Sequence, residues 1–347
     1  MGVKQKIKVK NASITRANLL KLLTQIGKEK LLVAPVRNEV FGDVDFAFVR
    51  TGEQICFDYD NTVSSPKEFF FPNCECMFTF ERAANESIRT EDSAEAMVLF
   101  GIRSCDVKAI DLLDNFYERD FQDNYYLDKR RKSVIISVAC SELYEQCFCT
   151  STRTGPLLEE GFDIQLVPVD KFYSVQIGSE KGLELFEEYK GFFADGKKFN
   201  VKEFMAKVKN AEPKFDLDNV YKKLRNEQVG DFLWDDIAGR CQSCGLCLFL
   251  CPTCSCFSVT DKTTAAGLQR RVRQWDACYF RGFTRMAGGN DAVRNNQEMV
   301  QRKYQHKLLQ QVDEFGICGC VGCGRCNLVC VGNVNWLENI KKIDKGA

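Results

Sequence analysis

The stretch CQSCGLCLFLC at residues 241–251 is matched in spacing by CVGCGRCNLVC at residues 320–330. Each run has the pattern CxxCxxCxxxC, the ligand spacing of proteins that hold a pair of [4Fe–4S] clusters. The first three cysteines lie on a loop short enough to wrap one face of a cubane cluster. The fourth begins a helical turn that points away from that loop and serves the other cluster. The repeated run therefore predicts a two-cluster, ferredoxin-like domain.

This crossed pattern assigns a ligand set to each cluster. One cluster is assigned to Cys241, Cys244, Cys247 and Cys330, and the other to Cys320, Cys323, Cys326 and Cys251. Structural zinc is the alternative, but zinc usually takes separated two-cysteine knuckles rather than an unbroken three-cysteine loop. Two copies of the run favour iron–sulfur clusters.

The composition is that of a globular protein and gives no indication of nucleic-acid binding or of a membrane span. The 347 residues, 45% of them hydrophobic, are enough for two or three packed domains. Lys plus Arg and Asp plus Glu both number 48, which gives no argument for binding nucleic acid or an anionic membrane. No apolar stretch approaches the roughly 20 residues that span a bilayer. An odd number of cysteines in ligand spacings, without a signal peptide, indicates a reducing compartment, and we expect a cytoplasmic, anaerobic protein.

Two parts of different character follow one another along the chain. Residues 1–235 alternate helical and strand-like patterns and predict a mixed α/β domain, whereas residues 236–347 predict a mainly helical di-[4Fe–4S] domain with an insert at about 257–317. Helical patterns lie at 14–27 and 107–117, strand-like runs at 31–36, 44–49, 97–102, 134–138, 162–167 and 172–177, and two charged helical segments between 180 and 227. The glycine fingerprints GxGxxG and GxxxxGK[ST] are absent, although flavin binding by another route stays open.

The insert carries five arginines, which are interpreted as a solvated face with a docking surface as the alternative. They are Arg270, Arg271, Arg273, Arg281 and Arg285. Cys254, Cys256 and Cys278 are interpreted as packing around the clusters, with ligation as the alternative. His306 is the single histidine; it cannot support a histidine-based metal site and is interpreted as a structural or surface residue. Cys56, Cys74, Cys76 and Cys318 are treated as non-ligands.

A further cysteine group lies upstream, at Cys105, Cys140, Cys147 and Cys149. Cys105 and Cys140 each follow a strand-like run, and ligands of open α/β sheets sit outside the carboxyl ends of strands. Four thiolates that meet there predict a third [4Fe–4S] cluster. Ordinary packing of buried cysteine is the alternative, and a zinc site is a weaker one.

Several segments together resemble a known family, the A subunit of anaerobic sulfite reductase, and are similar to the β subunit of soluble sulfhydrogenases. They are SSPKEFFFP, LFGIRSCDVKAI, CFCTSTRTGP, CQSCGLCLFLCPTCSCF, RRVRQWDAC, MAGG, YQHKL and CVGCGRC, in this order from residue 64 to residue 326. The resemblance implies an iron–sulfur subunit with no catalytic centre of its own. Its partners would be a flavin subunit that oxidises NAD(P)H and a siroheme subunit that reduces sulfite to sulfide.

Two other functions remain open at this point. One is the equivalent relay subunit of a soluble NiFe (sulf)hydrogenase complex. The other is an enzyme in its own right that binds flavin in the N-terminal domain.

Overall fold

A computed structural model describes residues 12–80, 89–90, 94–196, 199–265 and 267–346, so that residues 1–11 of the predicted N-terminal domain lie outside the description. The strands are β1 Ala12–Thr15, β2 Leu31–Arg37, β3 Val44–Val49, β4 Cys74–Phe80, β5 Arg89–Thr90, β6 Met97–Ile102, β7 Val134–Val138, β8 Ile164–Val169, β9 Phe172–Ile177, β10 Ala194–Asp195, β11 Phe257–Thr263 and β12 Gln269–Trp275. The helices are α1 Arg16–Glu29, α2 Ser104–Glu118, α3 Asn124–Lys132, α4 Glu180–Glu188, α5 Val201–Lys207, α6 Leu217–Arg225, α7 Asp231–Arg240, α8 Leu246–Phe249, α9 Arg281–Thr284, α10 Asn296–Gln305, α11 Gln311–Phe315, α12 Arg325–Leu328 and α13 Trp336–Lys345. A π-helical segment, His306–Gln310, joins α10 to α11.

The larger sheet has the strand order β10-β1-β9-β8-β7-β6-β2-β3. Its centre is parallel, because β2, β6, β7 and β8 pair in the same direction, and the strands on either side are antiparallel. All six residues of β6 are buried, as expected for a parallel strand covered on both faces.

Helices cover the two faces of this sheet because side chains of successive strand residues point to opposite sides. Leu32 of β2 and Phe100 of β6 pack on one side, against α1 and α4. Val33 and Leu99 pack on the other, against α2 and α3. The large sheet confirms the predicted mixed α/β class.

The predicted local elements correspond closely to observed ones. The helical pattern at 14–27 forms α1, which begins at Arg16 because the Thr15 hydroxyl caps the helix by accepting a hydrogen bond from the Asn18 N–H at 3.2 Å. The run at 162–167 forms β8, displaced by two residues. Among the described residues of the charged region between 180 and 227 there are three α-helices, α4, α5 and α6, rather than two.

A second sheet, of order β11-β12-β4-β5, combines the insert with the N-terminal part of the chain. The sequence predicted no strands in the insert, yet β11 and β12 form a hairpin and β12 pairs antiparallel with β4. The interpretation of the arginines as a solvated or docking face is wrong for Arg273. Its side chain is 1% exposed and pairs with Glu75 at 2.6 Å and with Asp123. Arg271 does lie at the surface, where it pairs with Asp261.

The helices of the C-terminal part enclose a third core. Trp234 of α7, Tyr304 of α10 and Trp336 of α13 are buried together, and the rings of Tyr304 and Trp336 lie 4.0 Å apart between centroids. Within the described ranges, no helix is both long enough and apolar enough to cross a bilayer.

Candidate iron–sulfur centres

The two cysteine runs fold into matching loops. In each, a glycine directly after the second cysteine adopts a left-handed backbone, with φ +76° at both Gly245 and Gly324, and a four-residue helix follows. A Cβ atom at Gly324 would lie 2.4 Å from the carbonyl oxygen of Gln146, so the close approach also requires glycine. The helices that follow, α8 and α12, pack against each other and bring the loops together.

Thiol set 1 is Cys241, Cys244, Cys247 and Cys330, and all four residues line one cavity with about 500 Å³ of empty space, partly open to solvent. Cys241 caps the end of α7, and Cys247 lies in α8. Cys330 reaches the cavity from the other run, and its Sγ accepts a hydrogen bond from the Val334 N–H at 3.2 Å. Four soft thiols from two loops around one cavity are the donor set that a [4Fe–4S] cluster takes, so the residues present fit the group.

Thiol set 2 is Cys320, Cys323, Cys326 and Cys251. Burial raises the pKa of Cys323 to about 12, and the nearby Cys251 thiol raises it further against the opposing effect of Arg325. Burial also raises the pKa of Cys326, with further increases from the neighbouring thiols of Cys320 and Cys323. The fold therefore brings the thiols of set 2 close enough to influence one another's pKa.

Thiol set 3 is Cys105, Cys140, Cys147 and Cys149, which pack together with Leu143 and Val321. Cys105 lies in the first turn of α2, directly after β6, and Cys140 follows the neighbouring parallel strand β7. Burial raises the pKa of all four thiols above the usual range. The structure therefore places all four at the carboxyl end of the large sheet.

The three sets adjoin one another. Cys323 of set 2 packs against the thiols of set 3. Cys326 of set 2 lines the cavity of set 1. The Phe148 N–H, between two cysteines of set 3, donates to the Gly322 carbonyl at 2.8 Å. Set 2 thus lies between set 1 and set 3.

A buried ion pair ties set 2 to set 3. The Arg325 guanidinium donates to both carboxylate oxygens of Asp106, at 2.7 and 2.8 Å, and both side chains are 1% exposed. Arg325 lies between two cysteines of set 2, and Asp106 directly follows Cys105. Further bonds run from Arg325 to the Thr62 carbonyl and to the Asn61 side chain. This pair was not predicted from the sequence, although Arg325 lies in CVGCGRC and Asp106 in LFGIRSCDVKAI.

Buried lysines around set 2 were also missed. The Lys67 ammonium donates to the carbonyls of Cys251 and Cys254, at 2.8 and 3.0 Å, and burial lowers the pKa of Lys67 to about 8. Lys307 donates to the Thr253 hydroxyl at 2.7 Å. Although burial opposes its charge, the thiols of Cys251 and Cys254 raise the pKa of Lys307. A lysine in SSPKEFFFP or YQHKL carries no spacing signal that would assign it to a cluster.

The remaining cysteines are spread through the fold. Cys74 is exposed at the start of β4, Cys56 is half-buried, and Cys318 is buried with its thiol directed to the Lys307 carbonyl. None of the nineteen cysteines, all of which are described, forms a disulfide. In the described part of the chain, no three His, Cys, Asp or Glu side chains are arranged to hold a single metal ion.

Comparison with known proteins gives two sequence findings. Residues 240–334 match a family described as a 4Fe-4S dicluster domain. The chain is 30% identical over 331 residues to "Sulfhydrogenase 2 subunit beta" of Pyrococcus furiosus, with 93% of each protein covered. The predicted pair of [4Fe–4S] clusters is thereby confirmed. The ligands of each cluster and the third cluster stay predictions.

Among solved structures, one match is a chain of the F420-reducing [NiFe] hydrogenase complex of Methanosarcina barkeri. It is 12% identical, with a TM-score of 0.34, and the match covers 58% of this chain and 90% of that one. A likeness at this level carries no argument about fold or function.

Proposed function

The chain belongs to the family of the sulfhydrogenase β subunit, and from that premise we propose that it is the iron–sulfur relay subunit of a multisubunit hydrogenase-type oxidoreductase. In this proposal thiol sets 1, 2 and 3 each hold one [4Fe–4S] cluster. When bound, such clusters supply one-electron redox chemistry, over a range of roughly −700 to +450 mV for the class.

The observation that carries the proposal is the contact of set 2 with both other sets. A relay needs carriers that adjoin, and Cys323 and Cys326 of set 2 face set 3 and set 1 respectively. Thiol sets 1 and 3, at the two ends of this series, differ in their exposure to solvent. Cys244 of set 1 is exposed, and Leu328 and Val331, which lie close to Cys330 in the sequence, are 68% and 72% exposed. Set 3 lies at the carboxyl end of the large sheet, where Cys105 and Cys149 are buried, and we assign one partner to each of these two sites.

The chain's own residues hold the thiols in place and keep water away from the middle set. Arg325 fixes the set 2 loop on Asp106, and Lys67 and Lys307 donate to groups that flank Cys251. Thiolates bound to iron are anionic, so buried cations beside them offset the cost of burying that charge. Cations close to the sulfur ligands also favour the reduced, more negative state of the site.

Two partner sets fit this role. The hydrogenase type is favoured by the sulfhydrogenase relative, which matches along 93% of its length. The second candidate is the iron–sulfur subunit of an anaerobic sulfite reductase, favoured by the motif resemblance from SSPKEFFFP to CVGCGRC. Both proposals include a flavin subunit that oxidises or reduces NAD(P)(H) and a catalytic subunit that holds nickel–iron or siroheme. The absence of disulfides among the nineteen thiols suits the proposed cytoplasmic location.

The test is purification of the tagged chain from its anaerobically grown host, with identification of the subunits that accompany it. We expect a flavoprotein and a catalytic redox subunit, with hydrogen-dependent turnover for the hydrogenase type and sulfite-dependent turnover for the alternative. Cys323→Ser should keep the partners and lose turnover, whereas the exposed Cys74→Ser control should keep both. A solitary chain with flavin absorbance and full turnover would instead establish a flavin enzyme and reject the relay.

A further inference from the structure

Three cysteines outside the three thiol sets line one further cavity, next to thiol set 2, because the Cys254 thiol is hydrogen-bonded to the Cys251 thiol. Cys254, Cys256 and Cys278 line about 360 Å³ of empty space together with His306. The empty space in the cavity of thiol set 1 is about 500 Å³. The two cavities are therefore of comparable size, and each has several thiols in its wall.

The β-hairpin of the insert builds one side of this cavity. Cys256 directly precedes β11 and Cys278 follows β12, and the hairpin pairs Phe257 with Trp275. The Asp276 N–H donates to the Cys256 carbonyl at 3.0 Å, which extends the pairing beyond the strand ends. Cysteines that are separated by more than twenty residues in the sequence are brought together in this way.

The π-helical segment His306–Gln310 builds the opposite side. Such segments are rare, and they occur frequently at functional sites because the extra residue per turn redirects side chains. Here the segment places His306 and Lys307 in the cavity wall, and Lys303 lies one turn earlier in α10.

The charges around the cavity fit an anionic occupant. Lys303 and Lys307 are only 7% and 4% exposed. In the described ranges neither has a carboxylate partner: Lys307 donates to the Thr253 hydroxyl and Gly319 carbonyl, and Lys303 lies over the Trp336 ring. A buried ammonium without a carboxylate needs negative charge nearby. These lysines also neighbour sets 1 and 2, so their charge is shared between sites.

We propose that Cys254, Cys256 and Cys278 hold a fourth [4Fe–4S] cluster, with the His306 imidazole as its fourth ligand. Imidazole replaces thiolate on iron in known iron–sulfur centres, and one neutral ligand lowers the negative charge of the site. Asp276, the carboxylate in the cavity wall, is already engaged by the Ala277 N–H at 2.7 Å. The inference does not depend on the partners of the proposed function.

The first test counts iron per chain after anaerobic purification and reconstitution. The double variant Cys256→Ser/Cys278→Ser should lose about four iron atoms relative to the unaltered chain, since each cubane contains four. The matched control, Cys56→Ser/Cys74→Ser, should lose none. Unchanged iron in the first variant, or loss of zinc in place of iron, overturns the proposal.

The second test leaves the proposed cluster bound and changes one of its ligands. His306→Cys keeps a ligand at the fourth position, so iron content should stay the same while the midpoint potential of one cluster falls. Redox titration followed by electron paramagnetic resonance measures that shift. If every cluster keeps its potential and signal in His306→Cys, the imidazole is not a ligand and the assignment fails.

Discussion

The buried pair of Arg325 and Asp106 gives the sharpest prediction. Arg325→Met removes the guanidinium and leaves the Asp106 carboxylate buried without its partner. Breaking a buried pair on one side typically costs about 3–5 kcal/mol of folding free energy. Five acceptor atoms surround the Arg325 guanidinium at 2.7 to 2.8 Å, two on Asp106, two on Thr62 and one on Asn61, and they place this pair at the upper end of that range.

The chain contains a matched control in Arg271 and Asp261. This pair is also bidentate, with both bonds at 2.8 Å, but its side chains are 43% and 41% exposed. Solvent screens exposed pairs, which contribute little to stability, so Arg271→Met should barely change the free energy of unfolding. Thermal unfolding of the anaerobic holoprotein should show a fall on the order of 10 °C for Arg325→Met.

A double variant distinguishes the effect of losing the ion pair from the effect of losing the volume that the two side chains occupy. Arg325→Met/Asp106→Leu removes both charges, so it should be less destabilised than Arg325→Met alone. Iron content, measured in each variant, distinguishes loss of the ion pair from loss of a cluster. Equal shifts for Arg325→Met and Arg271→Met, or additive losses in the double variant, would refute the reasoning.

The remaining predictions concern all three thiol sets and one half-buried carboxyl group. Cys147→Ser/Cys149→Ser should remove about four iron atoms per chain; unchanged iron would return these cysteines to ordinary packing. Cys330→Ser and Cys320→Ser should alter different cluster signals in electron paramagnetic resonance, and a change in the same signal would contradict the crossed assignment. Burial, with a smaller effect of Asp45, raises the pKa of Glu68 to about 7. The folded state therefore holds that proton more tightly than the unfolded state, and stability falls as pH rises from about 4.5 toward 7. In the Glu68→Gln variant, the free energy of unfolding should no longer show this decrease. Urea unfolding at several pH values in that range measures it.

The local features of this fold were predictable from sequence because their signals are local. The spacing CxxCxxCxxxC predicts loops of defined length, and the structure folds both copies with the same left-handed glycine. The apolar run at 97–102 has the continuous pattern of a parallel strand buried on both faces, and it forms β6 with the same bounds. Because this strand directly precedes Cys105, the sequence alone places that thiol at the carboxyl end of the sheet.

The features that were missed depend on residues far apart in the chain. Arg273 lies in QRRVRQW, a mostly polar segment of the kind that is usually exposed, but β12 pairs with β4, and Glu75 then lies beside the Arg273 guanidinium. No local pattern indicates that pairing. The same holds for Lys67, whose partners are carbonyl groups more than 180 residues away. Polar contacts with residues far away in the sequence determine where these side chains lie, and hydrophobic periodicity carries no information about such contacts.

Three of these distant contacts cross residue 235, where the composition changes. β4 pairs with β12, Asp106 receives Arg325, and Lys67 donates to the carbonyls that follow α8. Two of the three leave a buried charge unpaired if they are broken, which costs far more than separating two exposed surfaces. The cluster loops are therefore held against the large sheet by charge as well as by apolar packing. That attachment keeps thiol set 2 in fixed contact with thiol set 3, whose cysteines come wholly from the other side of the boundary. In a relay of single electrons the spacing of the carriers has to stay constant, and a flexible linker at residue 235 would not provide it.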